Sequence, residues 1–146
     1  MHYERIRLKP RTAAIGADVE GVQLEHLDDA TFAEIRHALH EHLVLFFRDQ
    51  PLSPTGHMGF ASRFGRMEVH EVFRPCDGHP EISVLEHDAD HPPISDSWHS
   101  DVTYRPQPAL ASVLHARHIP AIGGDTLWLS AVAAFAALSP PLQEFL

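Results

Sequence analysis

The chain is 146 residues long and carries 11 Lys and Arg against 20 Asp and Glu, a formal net charge of −9 with His neutral. This length suits one domain, and 44% hydrophobic with 21% charged residues excludes intrinsic disorder and collagen-like repeats. An acidic chain with no local Lys/Arg cluster excludes nucleic acid and anionic membrane surfaces as partners.

The elements follow in chain order. Alternation of Tyr3, Ile6 and Leu8 with Arg5 and Arg7 predicts a strand over residues 3–8 that ends at Pro10, and residues 15–19 read as a turn into a second strand. Asp28 or Asp29 can cap a helix with Phe32, Ile35 and Leu39 on its apolar face, running to about His42. The continuous apolar run 43–47, closed by Arg48-Asp49-Gln50-Pro51, predicts a strand buried on both faces. Ser53-Pro54 is a cap and first-turn pair for a second helix through Phe60, Ala61 and Phe64, with Gly65 as its stop. Residues 74–97 read as long loops around one strand at 82–85, and loops of that kind carry function. Further on come a strand-like stretch at 109–115, a Gly123-Gly124 turn, a short strand at 126–128 and an Ala-rich helix over 131–138. Ser139-Pro140 opens a last helix that stops after about two turns, where an isolated helix is marginal, so the chain is expected to be truncated.

No stretch reaches the roughly 20 apolar residues that span a bilayer. The charged start, Met1-His2-Tyr3-Glu4-Arg5, lacks the apolar run of a signal peptide, so a cytoplasmic protein is expected. The single cysteine, Cys76, has no intrachain disulfide partner and no thiolate metal spacing around it. Histidine is unusually abundant, at 13 residues, and imidazole is the commonest metal ligand.

One segment turns that abundance into chemistry. Within Ser97-Trp98-His99-Ser100-Asp101-Val102-Thr103, His99 and Asp101 are two apart, and on a strand such residues project to one side, where an imidazole and a carboxylate reach one ion. With a second His from elsewhere they would form a facial triad that leaves coordination positions open for substrate. A hydrogen-bonded pair without metal is the alternative. His26-Leu27-Asp28 has the same spacing, but there helix capping explains the carboxylate. His40-Glu41-His42 reads as a solvated helix end.

The residues around the pair resemble the taurine dioxygenase family (TauD/TfdA), Fe(II)- and 2-oxoglutarate-dependent oxygenases. The matching words are Trp98-His99-Ser100-Asp101-Val102-Thr103, Gly123-Gly124-Asp125-Thr126-Leu127-Trp128, Val44-Leu45-Phe46-Phe47-Arg48-Asp49-Gln50 and Phe64-Gly65, in the family's order over essentially the whole chain. The resemblance implies a mixed α/β, mainly β fold: residues 1–146 would be the N-terminal portion of one oxygenase domain, part of a double-stranded β-helix (jelly roll) with flanking helices. It implies His99 and Asp101 as iron ligands and catalytic residues, and Thr126 as a partner of the 2-oxoglutarate carboxylate. It also implies His70, Phe73, Ser95 and Val102 as substrate-binding positions, with O₂ and a small anionic substrate as reactants and succinate and CO₂ as co-products. Phe73 stands where taurine-specific members carry Tyr and Ser95 where they carry Asn, so another alkylsulfonate, a sulfate ester or an aryloxy acid fits as well as taurine.

In the family the second His ligand and the anion-clamping Arg residues come from the C-terminal half of the jelly roll, and neither His115 nor His118 has the family context for that ligand. Half a jelly roll leaves strand edges and a buried face uncovered, so a homo-oligomer or association with a missing C-terminal half is expected. The isolated chain is expected to be inactive or nearly so. The alternative is a truncated, non-catalytic remnant or interaction module of the family.

Overall fold

A computed structural model describes residues 2–88, 90, 92 and 97–146. The fold is mixed α/β, with small sheets in two compact units. One unit comprises Met1–Gln50 with Arg117–Leu146, and the other Pro51–Ala116.

The first unit is built on a three-stranded sheet, order β1-β2-β3, from β1 (Arg7–Pro10), β2 (Ala17–Glu20) and β3 (Leu45–Phe47). The first two strands are antiparallel, with Leu8 opposite Val19, and β2 and β3 are parallel, with Ala17 opposite Leu45. A parallel pair needs a long crossover. Helix α1 (Asp29–His42) supplies it, and Asp28 caps it by accepting from the Thr31 N–H at 2.7 Å. The buried core of this unit gathers Ile6, Ala17, Val19, Val22, Leu24, Phe32, Ile35 and Ala38.

The predicted strands 3–8 and 43–47 both come out differently. Ordered pairing starts only at Arg7, because the N–H groups of Glu4, Arg5 and Ile6 donate to the Glu34 carboxylate of α1 at 3.0 to 3.2 Å. Tyr3 completes this clasp, its hydroxyl donating to Glu41 at 2.7 Å. Burial, together with that bond, pushes the Tyr3 pKa up to about 12. The apolar run at 43–47 forms only a three-residue strand at the sheet edge, half-buried, while Leu43 sits in the left-handed region (φ +64°) as the cap of α1. The central strand is β2, whose alternate residues Ala17 and Val19 point into the core. Gly16 leads into it at φ +87°, where an added Cβ would meet the Phe46 ring at 3.4 Å.

Two carboxylates give this unit a defined acid sensitivity. Hydrogen bonding from Arg11, at 2.9 Å, holds Asp18 below the usual carboxylate range, and Arg48 lies 3.6 Å away. For Glu34 partial burial pushes upward, but the three backbone N–H bonds outweigh it and the pKa falls. A carboxylate depressed on folding adds stability that is present above its unfolded pKa of about 4 and lost as pH falls through the folded value. The urea midpoint is therefore expected to decline below about pH 4. Asp18→Asn should flatten that decline, and equal midpoints at pH 3 and pH 6 would count against both carboxylates.

Residues 117–146 of this unit carry α3 (Ala131–Ala136) and α4 (Pro140–Phe145), neither with a buried residue. The strand predicted at 126–128 is absent, because Thr126 to Trp128 have no ladder partner among the described residues.

In the second unit α2 (Pro54–Ser62) is capped by Ser53, whose hydroxyl accepts from the Gly56 N–H at 3.0 Å. It packs against β5 (His79–Ser83), where the His79 Nδ1–H points at Met58 Sδ, 3.0 Å away. β4 (Pro75–Cys76) and β5 form a hairpin through Asp77-Gly78, with Gly78 at φ +74°. The strand predicted at 82–85 thus begins earlier, since the hairpin sets its register. The strand predicted at 109–115 is not formed: Leu110 and Leu114 are exposed, and no ladder pairs them among the described residues.

Candidate metal centre

His99 and Asp101 belong to the second unit, on an irregular segment that enters a turn at Asp101. The strand geometry predicted for them is not what joins them. Their side chains converge through the turn instead, with His99 Nε2 3.4 Å from Asp101 Oδ1. Two bonds set this arrangement. His99 Nδ1 lies 3.0 Å from the Ser97 carbonyl, which can only accept, so Nδ1 carries the hydrogen and the neutral ring keeps its lone pair on Nε2. Asp101 Oδ2 accepts from the Ser112 hydroxyl at 2.7 Å, which leaves Oδ1 on the His99 side.

This donor set fits a divalent metal. The 3.4 Å gap is less than twice a metal–ligand bond, about 2.1 Å, so both donors can meet one ion. The orienting bonds to Ser97 and Ser112 are of the outer-shell kind that fix metal ligands. Both side chains are about 59% exposed, open to an ion from solvent. Among the described residues no group of three His, Cys, Asp or Glu gathers to hold a metal.

Val102 follows in the same turn at φ +47°. For a β-branched residue that conformation costs about 1–3 kcal/mol and persists only when its surroundings hold it. The turn closes with the Arg105 N–H donating to the Val102 carbonyl at 3.1 Å. Arg105 also reaches Glu68, Nη1 to Oε2 at 2.7 Å.

His70 and Phe73 lie together, ring centroids 4.5 Å apart. His70 Nδ1 accepts from the Val72 N–H at 3.2 Å, which puts the neutral ring's hydrogen on Nε2, a donor suited to an anionic oxygen. Ser95 lies outside the described residues. Thr126 belongs to the first unit, exposed on an irregular stretch after Gly123 and Gly124, both at positive φ.

The remaining histidine motifs take the plainer roles. Asp28 caps α1 and pairs with Arg5 at 3.0 Å, so His26-Leu27-Asp28 is structural. Glu41 of His40-Glu41-His42 is engaged by Tyr3. His115 lies edge-on to His57, ring centroids 5.8 Å apart. Sequence reasoning missed Ser112 and the Glu68–Arg105 pair. A lone hydroxyl inside the apolar run 109–114 was a signal for the first, while ion pairing across 37 residues left none for the second.

Comparison with known proteins identifies the family. Residues 7–146 match the family described as "Taurine catabolism dioxygenase TauD, TfdA family", and the chain belongs to that family. An alpha-ketoglutarate-dependent sulfate ester dioxygenase of Pseudomonas putida is 37% identical over 145 residues, covering 98% of this chain and 48% of that protein. An alkylsulfatase of Acinetobacter baylyi is 36% identical over 144 residues, covering 97% of this chain and 45% of that protein. A crystal structure of a taurine dioxygenase from Burkholderia xenovorans superimposes with a TM-score of 0.85 at 39% identity, over 97% of this chain and 51% of that one. The chain thus spans about half the length of the relatives it matches.

Proposed function

We infer that residues 1–146 are the N-terminal portion of a single jelly-roll oxygenase domain that uses Fe(II) and 2-oxoglutarate to hydroxylate a small anionic substrate. The observation that carries this is the convergence of His99 Nε2 and Asp101 Oδ1, each oriented by a bond on its far side. In this reading His99 and Asp101 hold the iron, which when bound supplies O₂ activation coupled to decarboxylation of 2-oxoglutarate to succinate and CO₂. Asp101 also brings a negative charge that offsets the ion's, and Ser112 keeps its second oxygen occupied.

His70 Nε2–H and the Val102 backbone receive the substrate anion beside the Phe73 ring, and by family resemblance Ser95 is a further substrate-binding residue and Thr126 a partner of the 2-oxoglutarate carboxylate. Phe73 offers an apolar ring where an amine-bearing substrate would need a polar partner, which favours an alkyl chain over taurine. The sulfate ester dioxygenase and alkylsulfatase relatives point the same way. Hydroxylation of the carbon bonded to the ester oxygen of a sulfate ester, or to the sulfur of an alkylsulfonate, gives an unstable product that loses sulfate or sulfite respectively and, from a primary carbon, leaves an aldehyde.

This chain by itself forms little or no succinate, because two donors bind iron weakly and most of its large apolar residues from Ile119 to Leu146 stand open to solvent, Ile122 at 93% and Phe145 at 84%. That surface suits self-association or a complementary C-terminal half, and the same surface supports the second reading, a non-catalytic interaction module. A cytoplasmic setting goes with the reading, and no helix among the described residues is long and apolar enough to cross a membrane. The test is anaerobic addition of Fe(II) and 2-oxoglutarate to the purified chain, followed by exposure to O₂ with a linear alkyl sulfate. A saturable visible band with little succinate is the expected result. Absence of the band from the folded chain would overturn the iron centre, and sustained succinate formation would overturn the half-site.

A further inference from the structure

We propose that Glu68 and Arg105 are a positioning pair that locks the Asp101–Val102 turn to the segment bearing His70 and Phe73. Among the described residues theirs is the one ion pair with both side chains at about 30% exposure or less, 30% for Arg105 and 28% for Glu68. Its length, 2.7 Å, is that of a charge-assisted bond. The pair's place in the chain gives it consequence. Arg105 closes the turn through its N–H to the Val102 carbonyl, so both its backbone and its side chain restrain one strained loop. Glu68 is two residues from His70, whose ring is fixed on its own segment by the Val72 N–H and stacks near Phe73.

Between them, Ser112 holds Asp101 and Glu68 holds Arg105, so the ligand-bearing turn is tethered at both ends. Neither Glu68 nor Arg105 touches the donor atoms of the metal centre. Their effect on it runs through the backbone of residues 101–105, and they connect the place where an ion sits with the place where the substrate anion sits. The inference rests on the His99–Asp101 centre for its metal consequence, but not for its geometric one.

The test uses Arg105→Met, Arg105→Lys, Glu68→Gln and the exchanged pair Glu68→Arg with Arg105→Glu, each in the full chain. Two readouts are taken: Co(II) binding by visible absorbance, and amide and imidazole NMR of Val102, Asp101 and His70. Arg105→Met and Glu68→Gln should weaken Co(II) binding about 10-fold, the lower end for groups outside the ligand set. They should also shift the Val102 and His70 signals together, while Arg105→Lys and the exchanged pair restore both. Unchanged Val102 and His70 signals in folded Arg105→Met would overturn the proposal. So would Co(II) affinity that stays at the wild-type value while those signals move. Wild-type chain that binds no Co(II) would sink the metal centre alone, and the NMR readout would still decide whether the pair positions the turn.

Discussion

His99→Ala is expected to abolish saturable Fe(II) binding, and Asp101→Ala to weaken it by at least about 100-fold, since loss of a metal donor should cost no less than loss of an outer-shell partner. The two changes remove different things. His99 supplies the neutral nitrogen whose tautomer is set by the Ser97 carbonyl, and Asp101 supplies the charge that an ion needs when only two protein donors are present. Loss of Asp101 also strands the Ser112 hydroxyl, but that group is exposed and turns to water at little cost. Binding is measured by anaerobic titration with visible absorbance or calorimetry, alongside circular dichroism to establish folding. If both variants bind Fe(II) as tightly as the parent chain, the ion is held elsewhere and the assignment of His99 and Asp101 is wrong.

Ile35→Ala should be the most damaging of the core truncations. Ile35 is fully buried at 0% exposure, on the face of α1 that packs on the sheet between Phe32 and Ala38. Deleting its three outer carbons forfeits both transfer energy and the contacts around the cavity, about 3–4 kcal/mol. For a chain of this size that lowers Tm by about 10 °C. Urea denaturation checks it: a midpoint within error of the parent would mean that α1 is not what holds the first unit together. Because the chain crosses from β2 to β3 by way of α1, this loss should loosen the parallel pair as well as the helix.

How much of this was legible in the sequence depended on whether the signal was local. Helix α1 and its Asp28 cap, helix α2 and its Ser53-Pro54 start, and the last two short helices were all readable, because capping and 3.6-residue spacing act within a few residues. The apolar face was nearly right, with Ala38 buried where Leu39 had been expected, since a small residue lets helix and sheet approach. Strands were read poorly for the opposite reason: a strand needs a partner, and partner choice is not local. Thus 43–47, the most apolar run, became a short edge strand, and the plain-looking Ala17–Glu20 became the centre of the sheet. At the candidate site the His99 and Asp101 pairing was legible from spacing and family resemblance together. The means of their convergence was not, because it depends on a turn with Val102 at positive φ and on hydroxyl and guanidinium partners distant in sequence.

The clasp between the first residues and α1 has a mechanical meaning. A sheet edge spreads a load over successive rungs, whereas here the backbone of residues 4–6 hangs on one side chain, Glu34, near the middle of the helix. A pull on the N-terminus therefore travels into α1 rather than along β1, borne by three backbone bonds on one carboxylate together with the Tyr3–Glu41 bond and the Arg5–Asp28 pair at the helix start.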